Sequence, residues 1–431
     1  MKVQESMPSS KVERSAKFIK TGVQIGGNYI KHYSKKLFNP NLSKDQLNED
    51  NATDIYASLS QLKGSALKIA QMLSMDKNIM PTAYIDKFTQ SQYNAPPLSG
   101  PLIVRSFTKS FGKTPQALFD SFNLNATNAA SIGQVHQAIL DGKKLAIKIQ
   151  YPGVGDSISS DLKLVKPFAF RILGMNEKDL NVYIKEVEER LLEEIDYKLE
   201  VKRSIEISTA CKHLDDVVFP KYYPELSSDK IITMDWMDGL HLKEFLQTNP
   251  AQKLRNKIGQ SLWDFYHFQQ HVLRKVHADP HPGNFLITKN GQLAVIDFGC
   301  IKEIPDDFYQ PFFSLIKPGF MENKEATIDS FRQLELILPT DNKKQEAFYY
   351  SAYKEMISLF SLPYASETFD FSGNDFFEDL YAWGEKITKM PEFKQPRGVK
   401  HFIYMNRTNF GLYTILNELK AVVNTENYCP A

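Results

Sequence analysis

"HADPHPGNFLITKNGQLAVIDFG", residues 277 to 299, is the stretch on which the reading of this chain turns. Its first nine residues set His277, Asp279, His281 and Asn284 around Pro280, Pro282 and Gly283. His277 and His281 stand four apart, a spacing that on a helix would put both imidazoles on one face for zinc. A helix is ruled out, because Pro280 and Pro282 each remove an amide donor and restrict the residue before them. Taken alone, the segment also reads as a turn in which Asp279 and Asn284 bond their own backbone. A third reading is a catalytic loop, with Asp279 orienting a hydroxyl or a water and Asn284 holding a metal ion beside phosphates.

The downstream half decides between them. "NFLIT" and "LAVIDFG" read as a hairpin around "KNG", and Asp297-Phe298-Gly299 follows Asn284 by thirteen residues. Upstream, "LAIK" ends in Lys148 on a strand-like run, and a long helical stretch offers Glu200. Each motif is weak alone. Their order, spacing and strand–loop–strand setting together match the protein-kinase signature. Lys148 would supply a point charge to the α/β-phosphates, and Glu200 would fix its long side chain. Asn284 and Asp297 offer hard oxygen ligands, which suit magnesium better than zinc.

Composition is compatible with this and adds limits. The 431 residues are 42% hydrophobic and 24% charged, enough for two or three packed units. A formal net charge of +1 gives no sign of a nucleic-acid partner. Cys211, Cys300 and Cys429 are odd in number and far apart, so no disulfide framework or zinc spacing is expected and a reducing compartment fits best. No apolar run approaches the roughly 18 to 20 residues of a membrane span, and no secretory signal is evident.

Along the chain, residues 11 to 36 read as a basic amphipathic helix. Its apolar stripe is Val12, Ala16, Ile19, Val23 and Ile30, and a bend is expected near Gly22 and the Gly26-Gly27 pair. Residues 54 to 75 read as a second helix with Leu59, Leu62, Ala66, Ile69 and Leu73 inward. "NAPPLSG" (94–100) is a linker. "ASIGQVHQAIL" and "LAIKIQY" form a hairpin around "DGKK". One long helix is expected from 178 to about 210, with Val187, Leu191, Ile195 and Leu199 on a stripe. "KIITMDWM" is a strand, and a helical stretch from 250 to 276 leads into the opening loop. The remainder is mostly helical, with Phe308, Tyr309, Phe312, Phe313, Tyr349 and Tyr350 as core.

Six motifs occur in order: "LKGSALKIAQMLS" (62–74), "NAASIGQVH" (128–136), "AIKIQYPGV" (146–154), "EEIDYKLE" (193–200), "DPHPGNF" (279–285) and "IDFG" (296–299). As a set they resemble the UbiB/AarF group of atypical, protein-kinase-like proteins linked to isoprenoid-quinone (coenzyme Q) biosynthesis. The resemblance implies an α+β, two-lobed kinase-like fold with a helical N-terminal extension over the active site. It implies a catalytic set of Asp279, Lys148 and Glu200, with Asn284 and Asp297 as metal ligands. The implied nucleotide-contacting set is Ala129, Ala130, Ser131, Lys148 and Met237, joined by Lys68 and Gln71 of the group's K-x-G-Q element and by Glu194 and Asp196 of its E-x-D element. The chain departs from the group's pattern where Ala70 replaces the glycine of K-x-G-Q and Asn128 the first alanine of the loop. The expected segments are 1–95 for the extension, 96–240 for the N-lobe and 241–431 for the C-lobe.

The activity implied is Mg2+-dependent hydrolysis of ATP in support of quinone-lipid metabolism, with peptide phosphorylation sterically discouraged. The rivals are a small-molecule or lipid phosphotransferase and a nucleotide-regulated scaffold. Expected partners are ATP, quinone-precursor lipids and quinone-biosynthesis enzymes, not nucleic acid. The expected location is cytoplasmic, and the basic N-terminal helix has two readings: its apolar stripe packs on the protein body while its lysines are solvated, or it lies on a membrane surface as a peripheral contact.

Overall fold

A computed structural model describes residues 11–39, 45–62, 66, 68, 69, 83, 84, 87, 98–129, 132–173, 177–388, 390–394 and 397–426. Gln71, Ala130 and Ser131 lie outside these residues, as do Ala70 and Leu73 and the side chain of Ala129. The chain divides into two compact units: Met1–Val201 with Tyr222–Trp236, and Lys202–Lys221 with Met237–Ala431. The 96–240 segment thus contributes to both.

The first unit begins with α1 (Lys11–Phe38) and α2 (Asp45–Leu62). α1 runs unbroken through Gly22, Gly26 and Gly27, so the expected bend does not interrupt its hydrogen-bonded course. The face it buries also differs from the expected stripe. Thr21, Ile25 and His32 are buried, whereas Ile19, Val23 and Ile30 are 68%, 72% and 71% exposed. The reason lies in paired polar groups. Asn28 Nδ2 donates to Asn51 Oδ1 (3.1 Å) and Asp54 Oδ2 (2.8 Å) on α2, and Thr21 bonds Ser58. A polar residue whose hydrogen bonds are met can face a core, and hydrophobic periodicity does not register it.

α3 (Gly100–Phe111) buries Ile103 and Phe107 against an antiparallel sheet. Its strands are β1 (Ser121–Phe122), β2 (Asn128–Ala129), β3 (Gly133–Leu140), β4 (Lys143–Gln150) and, beyond a short β5 (Val217–Val218) of the second unit, β6 (Ile231–Asp235). β4 lies between β3 and β6, while β1 and β2 both line the outer edge of β3. Asp141 and Gly142 close the β3–β4 hairpin with φ of 51° and 74°, the left-handed pair that a two-residue turn requires.

α4 (Val154–Leu173) follows and runs through Pro167, which argues against a helix when read from sequence alone. The single helix expected from 178 to 210 is two: α5 (Glu177–Glu194) and α6 (Tyr197–Ala210). Asp196 makes the break, its Oδ1 accepting from Leu199 N at 3.0 Å as an N-cap. Ile25, Ile55, Leu59, Ala66 and Ile69 pack with Ile158, Leu162, Leu180, Val187 and Leu191 in one core, so the extension helices share their apolar interior with α4 and α5.

The second unit gathers its own large core. Ile207, Cys211 and Val217 join Leu242 and Phe245 of α7 (Leu242–Gln247) and Ile258, Leu262, Trp263 and Phe265 of α8 (Gln252–Phe268). A π-helical turn, Gln269–Leu273, ends at Arg274 in the left-handed region (φ 55°) and feeds β7 (Lys275–His277). The stretch expected to be helical from 250 to 276 therefore ends in a wide turn and a strand. β8 (Phe285–Ile287) and β9 (Leu293–Val295) form the second hairpin, and β5 extends it beside β9. β10 (Ile301–Glu303) returns against β7. α9 (Asp306–Leu315), α10 (Lys324–Gln333) and α11 (Lys343–Ser361) follow, then β11 (Thr368–Asp370), α12 (Asn374–Thr388), α13 (Lys400–Leu419) and β12 (Val422–Asn424). Phe308, Phe312, Phe313 and Tyr349 are buried in this core, with Tyr309 and Tyr350 at its margin.

Candidate active site

The first unit carries a lysine–carboxylate pair. β4 places Lys148 mid-strand, opposite Val135 on one side and Ile232 on the other. Its Nζ lies 2.7 Å from Glu200 Oε1, in the first turn of α6. The side chains are 19% and 3% exposed, so the pair is held largely out of water. Its attraction is stronger there than at a surface, and its dependence on the partner greater.

Two further residues hold the pair in place. The Tyr197 ring lies under Lys148, 5.3 Å from Nζ to centroid. Tyr197 also explains Gly133, since a Cβ there would meet Ile149 O at 2.7 Å and Tyr197 Oη at 2.9 Å. Gln150, two residues past Lys148, donates from Nε2 to Ile195 O at 2.9 Å. The backbone between Glu194 and Asp196 is thus tied to the strand that bears Lys148. Glu194 itself pairs with Lys68 of the extension, Nζ to Oε1 2.6 Å. The structure therefore brings Lys68 to Glu194 and Lys148 to Glu200. Asp196 turns its carboxylate to the α6 N-terminus.

A buried polar chain links β3 to the segments around Leu98 and Asn123. Leu98 N donates to Gln134 Oε1 at 2.8 Å, Gln134 Nε2 lies 2.7 Å from His136 Nε2, and His136 Nδ1 lies 2.8 Å from Asn123 O. Burial pushes the His136 pKa down, which favours a neutral ring in this chain. Gln134, Gln150 and Tyr197 were not singled out as site residues. The available signal was their place inside the "SIGQVH", "AIKIQY" and "EEIDYKLE" motifs.

The second unit gathers Asp279, Asn284 and Asp297. Asn284 Nδ2 donates to Asp279 O at 2.9 Å and reaches Asp279 Oδ2 at 3.4 Å, while His281 N donates to Asp279 O at 2.7 Å. The loop is a 3-10 turn, Pro282–Asn284, started by Gly283 N donating to His281 Nδ1 at 3.0 Å. His281 thus serves the turn. Asn284 joins the Asp297 segment through Ile296 N donating to Asn284 O at 3.0 Å. Asp297 Oδ1 accepts from Gly299 N at 2.8 Å, and Phe298 is fully buried in the core.

His277 sits behind this loop, fully buried, with Tyr266 Oη 3.4 Å from its Nδ1. Burial pushes its pKa down against the pull of Asp279 and Asp297, so both carboxylates act on this ring. Among the described residues, no group of three or more His, Cys, Asp or Glu side chains could hold a metal ion by itself. A magnesium ion of the phosphate-bound type needs fewer protein ligands, drawing the rest from phosphates and water. The oxygens fit that role. With its nitrogen engaged at Asp279, Asn284 has a carbonyl oxygen to offer, and Asp297 a carboxylate. Met237 is half-buried and opens the second unit directly after Trp236.

Comparison with known proteins follows the same lines. The ABC1 atypical kinase-like domain matches residues 90–330. The chain is 24% identical, over 97% of its length, to a probable serine/threonine-protein kinase, abkA, of Dictyostelium discoideum, and covers 78% of it. An uncharacterized aarF domain-containing, chloroplastic protein kinase of Arabidopsis thaliana is 31% identical over 74% of this chain, which covers 46% of that protein. The mitochondrial atypical kinase COQ8B of Danio rerio is 26% identical over 98% of this chain, with 68% of it covered. Among solved structures, the complex of Rv3197 with erythromycin from Mycobacterium tuberculosis aligns with a TM-score of 0.61 at 25% identity, covering 90% of this chain and 97% of that one.

Proposed function

Since the chain belongs to the ABC1 atypical kinase-like family, we propose that it binds ATP with Mg2+ and cleaves the γ-phosphoryl group in support of quinone-lipid metabolism. The observation that carries this reading is the Lys148–Glu200 pair at 2.7 Å, the phosphate-handling lysine already fixed by its helix partner. Lys148 would neutralise the α/β-phosphates, and Asn284 and Asp297 would hold the metal ion. The ion's chemistry is to draw charge off the phosphate oxygens as the bond to the leaving group breaks. Asp279 would orient the attacking water or hydroxyl and accept its proton. Ala129, Ala130, Ser131 and Met237 would line the nucleotide, while Gln71 and Asp196 would join the Lys68–Glu194 pair beside it.

A cavity of about 750 Å3 in the first unit is walled by Ile25, Tyr29, Ile55, Tyr84 and Phe168 together with the polar Asn51, Lys166 and Glu177, a size in the range of small-ligand sites. No described helix is long and apolar enough to cross a membrane.

The test is ATP turnover by the purified chain, with and without anionic vesicles and a phenolic quinone-precursor mimic, with all phosphorylated products analysed. Release of inorganic phosphate, stimulated by either addition, is the expected result. A phosphorylated mimic would favour the phosphotransferase, and tight Mg-ATP binding without turnover would favour the scaffold.

A further inference from the structure

We propose that Gly411 and Asn409 on α13 are positioning residues for the Asp279 loop, which makes the C-terminal helix a brace of the catalytic segment; the catalytic part of this claim rests on the function proposed above. Gly411 lies inside a 20-residue helix, where glycine is among the poorest helix formers. Its place there has a steric reason. A Cβ at Gly411 would overlap Pro280 Cγ and stand 3.2 Å from Pro280 Cβ. The helix backbone therefore lies flat against the buried ring of the residue that follows Asp279, and the ring has no room to move toward it.

The same helix is tied to the segment entering the loop by a second route. Asn409 Oδ1 accepts from Gln270 Nε2 at 3.0 Å, and both side chains are buried. Gln270 belongs to the π-helical turn, and its neighbour Gln269 accepts from His277 N through Oε1 at 3.0 Å. π-turns are rare and recur at functional sites, because the extra residue re-aims the side chains around it. Here the widened turn gives adjacent glutamines two tasks, one holding β7 as it enters the loop and the other holding α13. Asp279 is thus set from before by Gln269 through His277, and from after by Gly411 through Pro280.

Amide hydrogen exchange over residues 275–287 tests the brace without depending on activity. Gly411→Ala is expected to speed exchange there at least tenfold while leaving β3 and β4 unchanged. Made together with Pro280→Ala, which removes the ring, Gly411→Ala should add less than twofold to the effect of Pro280→Ala alone. Asn409→Leu, which breaks the Gln270 bond without entering the loop, should speed exchange in the same segment at least threefold, and it carries the test if Gly411→Ala fails to fold. In turnover, Gly411→Ala should lower kcat at least tenfold with the Mg-ATP Kd within twofold of wild type. Unchanged exchange in 275–287 for both α13 variants, or equal effects of Gly411→Ala with and without the Pro280 ring, would overturn the brace. A wild-type chain that turns over no ATP would instead overturn the proposed function and leave the exchange result to stand.

Discussion

Lys148 and Glu200 meet at 2.7 Å with only 3% of the Glu200 side chain exposed. Taking both charges out of water is costly, and their attraction offsets that cost only while both are present. Removing one partner takes away the opposite charge at 2.7 Å that offsets the other's loss of water. Glu200→Gln is therefore expected to destabilise the first unit by about 2 kcal/mol or more, below the roughly 3–5 kcal/mol of a fully buried pair because Lys148 keeps some contact with water. It should also weaken Mg-ATP binding at least tenfold, since the lysine loses its aim. Urea denaturation and nucleotide titration check the two parts, and a variant matching wild type in both would refute the assignment. At this scale the sequence was informative where chemistry dictates the residue type. The order and spacing of Lys148, Glu200, Asp279, Asn284 and Asp297 pointed to a nucleotide site, and the Lys148–Glu200 and Asn284–Asp279 contacts are compatible with that reading. Tyr197 and Gln150 were not legible, because one works against the backbone at Gly133 and the other on the carbonyl of Ile195. Such contacts exist only once the fold has brought the segments together.

Among the elements, α1 shows where periodicity misleads. Its packed face is built on Thr21, Ile25, Asn28 and His32, with the asparagine paired to α2, so three of these four positions are polar. The apolar residues that suggested a buried stripe, Ile19, Val23 and Ile30, are left in solvent beside Lys20 and Lys31. An exposed apolar row flanked by lysines is the pattern of a helix lying in a membrane interface. Each basic residue near an anionic surface adds on the order of 1 kcal/mol, falling with salt. The intact chain is therefore expected to float with anionic vesicles at low salt and to be released at high salt. A chain beginning at Leu42 should stay at the bottom in both. Equal flotation of the two would place any lipid contact elsewhere. The α5–α6 break follows from a different limit. An unbroken run of helix formers hid the N-cap at Asp196, which only its bond to Leu199 reveals.

The whole molecule is two compact units, each with its own apolar core and each carrying one part of the candidate site. The kinase-like α+β character was legible because six motifs fall in order along the chain, and the ABC1 match over residues 90–330 agrees with it. The partition of the chain was less legible. Residues 202–221 belong with the second unit because Ile207, Cys211 and Val217 bury in one core with Leu262, Leu293 and Leu416, a grouping no local window contains. The central claim is that the chain binds Mg-ATP with Asp297 on the metal ion, and a thermal-shift titration with Asp297→Asn tests it most directly. A ligand at about 100 times its Kd stabilises by roughly 2.7 kcal/mol, which for units of this size is a shift of several degrees. Wild type should show that shift with ATP only when Mg2+ is present. Asp297→Asn, whose amide cannot neutralise the ion, should keep its own Tm and lose most of the shift, while the same Mg2+-dependent shift in the variant as in wild type would contradict the account.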